Sequence, residues 1–189
     1  MRSYSRSLKT ALAATLVPVM LVSVHLLSAN SAAQRDMSAT HRRLAQEVRH
    51  QLLLLPYYTV FDNLEYAVQG IDTVILSGQV TRPSLKSDAE SVIRRMEGVG
   101  KVVNKIEVLP ISPSDDRVRL AVYRAVYSKP GLDKYGQRAV PPIHIIVKNG
   151  SVTLVGVVAN EADKDLAGIA AQGVPDIFTV TNILKVEKN

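Results

Sequence analysis

One 35-residue pattern is written twice in this chain, and the repeat restricts the fold more than any single motif. Val74–Val108 reads VILSGQVTRPSLKSDAESVIRRMEGVGKVVNKIEV, and Val152–Val186 reads VTLVGVVANEADKDLAGIAAQGVPDIFTVTNILKV. At a constant offset of 78 residues (Val74 against Val152) the two align without a gap. Val74, Leu76, Gly78, Val80, Ala89, Val102, Asn104 and Val108 match Val152, Leu154, Gly156, Val158, Ala167, Val180, Asn182 and Val186. The matches fall where a strand, a helix and a second strand would place inward residues, the mark of a duplicated supersecondary unit.

Each copy extends upstream in the same way. Leu44, Val48, Leu52 and Leu55 recur at helical spacing, with Thr40 placed to cap the helix and Pro56 to stop it. Leu64, Tyr66 and Val68 then alternate with polar residues, as in a half-buried strand, before a turn at Gly70. Pro83 opens the next helix, whose stripe is Leu85, Ala89, Val92, Ile93 and Met96, and Gly98 ends it as a left-handed glycine. After Pro110–Ser114 the order repeats. Asp115 is placed to cap a helix with Val118, Val122 and Val126 inward; Asn149-Gly150 marks a hairpin, and Asn160 caps the second helix. Helix, strand, strand, helix, strand is thus expected twice. One apolar stripe per helix and alternating strands predict an α+β chain of two tandem two-layer sandwiches, each with two helices on one face of a three-stranded mixed sheet. The third strand lies either beside the second, parallel to it, or beside the first.

The first 33 residues read differently. Arg2, Arg6 and Lys9 precede an apolar run from Ala11 to Leu27, and small residues follow up to Ala33. A basic head, apolar middle and small-residue exit predict a secretory signal peptide, residues 1–33, with an uncleaved anchor helix as the alternative. Residues 34–39 are expected to form a flexible leader, 40–109 and 115–189 the two domains, and 110–114 the linker. The destination is periplasmic or secreted. Removing that segment lowers the formal charge from +6 to 20 basic against 17 acidic residues, too slight and dispersed a bias for nucleic acid.

The residues that carry the repeat resemble the BON domain, a module of bacterial envelope proteins. Its pattern is V-x-L-x-G-x-V, a helix, then G-V-x-x-V-x-N-x-hydrophobic-x-V. Val74-x-Leu76-x-Gly78-x-Val80 and Gly98-Val99-x-x-Val102-x-Asn104-x-Ile106-x-Val108 fit in full. The second copy fits except that Asp176 stands where the glycine belongs. The resemblance implies an α/β sandwich without enzymatic activity, with no cofactor, and a role in binding phospholipid membranes, bridging envelope components or supporting osmotic-stress tolerance.

The residues themselves agree with a binding role. There is no cysteine, hence no thiolate nucleophile or cysteine-held zinc, and His41, His50 and His144 share no metal-ligand spacing. Glu161, Asp163 and Asp165 lack the spacing of a calcium loop. Gly78 and Gly156 are expected to yield to a packed helix backbone or a bulge, Gly98 to a turn, and Asn104 and Asn182 to bond a nearby loop backbone.

Two surfaces carry the functional expectation. On the second unit's first helix, Arg117, Arg119, Tyr123, Arg124, Tyr127 and Lys129 lie largely off the apolar stripe, and the last five are the expected contact residues. Basic residues among tyrosines suit an anionic phospholipid surface. On the outer face of the second sheet, Ile146, Val155 and Val157 stand where the first unit has Ala67, Ser77 and Gln79. That apolar row calls for the first domain, a second copy of the chain, or an envelope protein partner to cover it.

Overall fold

Two sheets of the same topology follow one another in the computed structural model, which describes residues 37–138 and 140–187. The expected signal segment and residues 34–36 of the leader lie outside them. Helix α1 covers residues 37–53, so Thr40 sits inside the helix and does not cap it, and residues 37–39 are helical. Strands β1 (Asn63–Gln69) and β2 (Thr73–Val80) form an antiparallel hairpin in which Val68 faces Val74. Helix α2 (Pro83–Arg94) crosses back, and β3 (Lys101–Asn104) and β4 (Glu107–Val108) both run parallel to β2. The third strand therefore lies beside the second.

The second unit repeats this with helix α3 (Pro113–Tyr127), a short helix α4 (Asp133–Gly136), strands β5 (Ile143–Lys148) and β6 (Ser151–Val158), helix α5 (Glu161–Gln172), and strands β7 (Thr179–Asn182) and β8 (Lys185–Val186). Here too β6 is central, antiparallel to β5 and parallel to β7 and β8. The fold is α+β, with two mixed sheets in tandem.

The asparagines explain why the third strand comes in two pieces. Asn104 Oδ1 accepts from its own chain at Ile106 N (3.1 Å), while Nδ2 donates to the Lys86 carbonyl of α2 (2.9 Å). Asn182 does the same with Leu184 N (3.2 Å) and the Lys164 carbonyl of α5 (2.7 Å). Each amide closes a break in the strand and ties it to the helix above, satisfying a polar group that would otherwise be half-buried without partners. One partner is the nearby loop backbone expected from sequence, at Ile106 or Leu184, and the helix carbonyl is a second.

Gly78 and Gly156 also have a different cause from the one anticipated. Their φ angles are 104° and 130°, and a Cβ on either would collide with a backbone carbonyl of the strand alongside or its lead-in, Asn63 or Pro142. The close neighbour is thus the hairpin partner, not a helix. Only glycine takes that conformation without strain.

Both cores are conventional. Val48, Val74, Leu76, Leu85 and Ile93 close the first; Val122, Ile143, Ile145, Leu154 and Leu184 close the second. Val60, from the segment between α1 and β1, belongs to the second core, and its carbonyl accepts from Ile145 N at 2.8 Å on the free edge of β5. The two units are therefore joined by main-chain bonding as well as by the linker.

Candidate functional site

Helix α3 begins where Ser112, not Asp115, accepts from the Asp115 amide at 3.2 Å, with Pro113 in the first turn. Asp115 instead points inward. Its carboxylate accepts from Asn149 N and Gly150 N, both at 2.9 Å, and so fastens the helix to the β5–β6 turn. Val118, Val122 and Val126 fill the core beneath.

The structure divides the five residues expected on the outward face of this helix. Arg119 is 5 % exposed, with Nη2 donating to the Val147 carbonyl at 2.8 Å and Nη1 to Asp116 at 2.5 Å. Tyr127 is buried too, and its hydroxyl donates to the Ile143 carbonyl, while burial pushes its phenol well above the usual range. Neither can meet a membrane from where it stands. Their long side chains fold back over the edge of β5, where a helical period predicts solvent, because that strand offers unpaired carbonyls. Tyr123 is half-buried between Phe61 (6.1 Å between centroids) and Tyr127 (4.9 Å). Arg124 and Lys129 remain exposed.

What faces outward is a different set. Arg117, Leu120, Arg124 and Ser128 follow one another at three- and four-residue steps and are all exposed, Leu120 at 49 %. Residues so spaced share one helix face. Arg117 lies off the apolar stripe in the sequence just as Arg119 does, and only packing decides which of the two is drawn inside. On the exposed surface of α3 the Asp116 carboxylate is engaged by Arg119.

The second expected surface is mostly covered. Ile146 and Val155 are buried with Leu109, the residue after β4, whereas Val157 stays 44 % exposed. At the same junction Lys148 pairs with Glu107 at 2.5 Å, and His144 lies 5.5 Å from the Tyr58 ring. Burial pulls the His144 imidazole below its usual range and pushes the Tyr58 phenol up to about 12. A cleft of about 630 Å³ opens beside them, lined by Arg49, Tyr66, Arg138 and Lys185. Among the described residues no group of His, Cys, Asp and Glu side chains is arranged to hold a metal ion, and no helix is long and apolar enough to cross a membrane.

The sequence profile of the BON domain matches the chain twice, over residues 41–110 and 114–188. The chain belongs to the BON domain family. BON domains are envelope-associated or periplasmic modules, generally non-catalytic. No curated protein matches it significantly. Among solved structures, it is similar to CdsD, a structural protein of the type III secretion system of Chlamydia trachomatis, at 17% identity and a TM-score of 0.30, covering 74% of this chain and 61% of that one. The match to the C-terminal domain of CdsD has 14% identity and a TM-score of 0.30, covering 77% of this chain and 98% of that one.

Proposed function

We propose that this tandem BON protein is an exported, non-enzymatic module of the cell envelope that associates with anionic phospholipid surfaces through the outward face of α3. The observation that carries the reading is the exposed stripe Arg117, Leu120 and Arg124, with Lys129 just past the helix end. Of the two carboxylates in the first turn, Asp115 is engaged by the hairpin turn and Asp116 by Arg119. A cation near an anionic bilayer gains roughly 1 kcal/mol, so three together support reversible, salt-dependent attachment. A leucine among them adds apolar contact with the headgroup boundary.

The test is co-sedimentation of the purified protein with vesicles of phosphatidylglycerol or of phosphatidylcholine. Binding is expected to the first only, weakening by roughly tenfold or more when Arg117 and Arg124 are both changed to Glu. Absence of binding, equal binding to neutral vesicles, or indifference to the double reversal in a protein with unchanged circular dichroism overturns the reading. The other reading, an adaptor that takes a protein partner on the outer face of the second sheet, has less surface to work with, since Leu109 already occupies Ile146 and Val155.

A further inference from the structure

The repeat offers an internal control for any exposed side chain, and one position stands out. Phe178 occupies the place of Gly100 in the first unit. Their backbones do the same thing: Gly100 N donates to the Asp72 carbonyl and Phe178 N to the Gly150 carbonyl, each at 2.9 Å. The geometry is common to both copies, so the phenyl ring is an addition to it. That ring is 86 % exposed.

The backbone that carries it is set on both sides. Asp176, two residues before, takes the left-handed conformation (φ 64°) that turns the chain, and β7 begins at the residue after. One side of the ring rests on Gly150, where a Cβ would strike it. The ring borders a groove of about 780 Å³ whose other walls include Arg117 and Ala121 of α3, Pro175 and Ile177. Arg117, the first residue of the basic stripe, and the exposed aromatic therefore line one groove. The charges at this groove are Arg117, the exposed Asp176, and Asp115, whose two oxygens are already taken by backbone amides.

We infer that Phe178 is the apolar anchor of the membrane contact, inserting its ring below the headgroups of an anionic bilayer while Arg117 and Arg124 engage the phosphates. The inference rests on the lipid reading above and extends it to a second element of the fold. An exposed aromatic beside the Arg117 guanidinium and polar wall residues (Ser112, Ser114, Asn149) suits the interfacial layer, where apolar and charged partners lie a few ångströms apart.

The chain contains no tryptophan, so Phe178→Trp places a single indole at the site. With phosphatidylglycerol vesicles carrying brominated acyl chains, its emission is expected to shift to the blue and to be quenched, and neither is expected with phosphatidylcholine. Phe178→Ala should lower affinity for phosphatidylglycerol vesicles by about tenfold or more, and Phe178→Leu by much less, with circular dichroism unchanged. If the wild type binds these vesicles but the indole is neither shifted nor quenched, or Phe178→Ala binds as well, the anchor is wrong and the lipid reading stands. If the wild type binds no vesicles, both fall.

Discussion

The two units meet the same backbone requirements with different side chains, and the differences show what the duplication left free. The amide after the central strand must be held in both. In the first unit Thr81 N donates to the fully buried Asp62 carboxylate at 2.6 Å, which also accepts from Thr81 Oγ1 and from Thr59 N and Oγ1. In the second, Ala159 N donates to the Tyr135 hydroxyl at 2.8 Å, and that hydroxyl donates on to Asp163 at 2.6 Å. Tyr135 comes from α4, in the longer connection that only the second unit has. The insertion supplies a structural substitute for Asp62.

A second pair follows the same logic. His41 Nε2 donates to the Val68 carbonyl at 3.0 Å, and Arg119, its counterpart in the repeat, donates to the Val147 carbonyl. Val68 faces Val74 and Val147 faces Val152, so the two carbonyls hold equivalent places in the ladders. The exposed histidine bond and the buried guanidinium are thus versions of one helix-to-strand tie. An arginine read as a membrane contact proves to be part of the scaffold.

These parallels can be broken by mutation. The largest effect is expected at Asp62: Asp62→Ala strands four donors and should cost about 3–4 kcal/mol in urea unfolding, against about 1–2 kcal/mol for Tyr135→Phe, which leaves Asp163 its Lys134 partner. Equal costs would mean that the two anchors are equivalent in energy as well as in place. Next, Arg119→Leu should lose about 2 kcal/mol, whereas His41→Leu, in an exposed bond, should lose under about 1 kcal/mol. Chemical denaturation of both variants decides whether the buried tie is the stronger one.

The junction gives a pH signature that neither sheet would show alone. His144 is buried against Tyr58, and desolvation lowers its pKa despite the opposing influence of the Thr59 and Asp62 carbonyls and the Asp62 charge. A depressed folded pKa means that stability is full above the unfolded value of 6.5 and is lost as pH falls toward and through the folded one. Melting temperature should therefore decline below about pH 6.5 in the wild type and decline less in His144→Phe. Identical profiles would remove His144 from the junction's pH response. The smallest effect is expected at the turns: Asp176→Gly should stabilise by about 0.5–1 kcal/mol, because Asp176 holds the left-handed conformation that Gly98 (φ 83°) holds in the first unit. A destabilised variant would show that the aspartate side chain has a role of its own.

Much of the architecture was legible from residue order. The hairpins, Asn160 as a cap, the helix at Pro83 and the family itself follow from period, turn residues and the repeat. The site was less legible. Tyr127 and Arg119 look outward on a helical wheel, but each is long enough to reach a carbonyl on the edge of β5. Phe178 differs from Gly100 in the repeat, but an aromatic near a strand start does not reveal in sequence that its ring is exposed.

The sequence by itself determined two copies of a sandwich, because apolar period and glycine placement are local properties that survive duplication. Only the tertiary structure decided which arginine stays in solvent, what covers the second sheet, and which aromatic stands bare. Those outcomes depend on which backbone groups happen to lie within reach of a side chain, and that is settled by packing between segments far apart in the chain. Val60 against Ile145 and Leu109 over Ile146 are contacts of that kind.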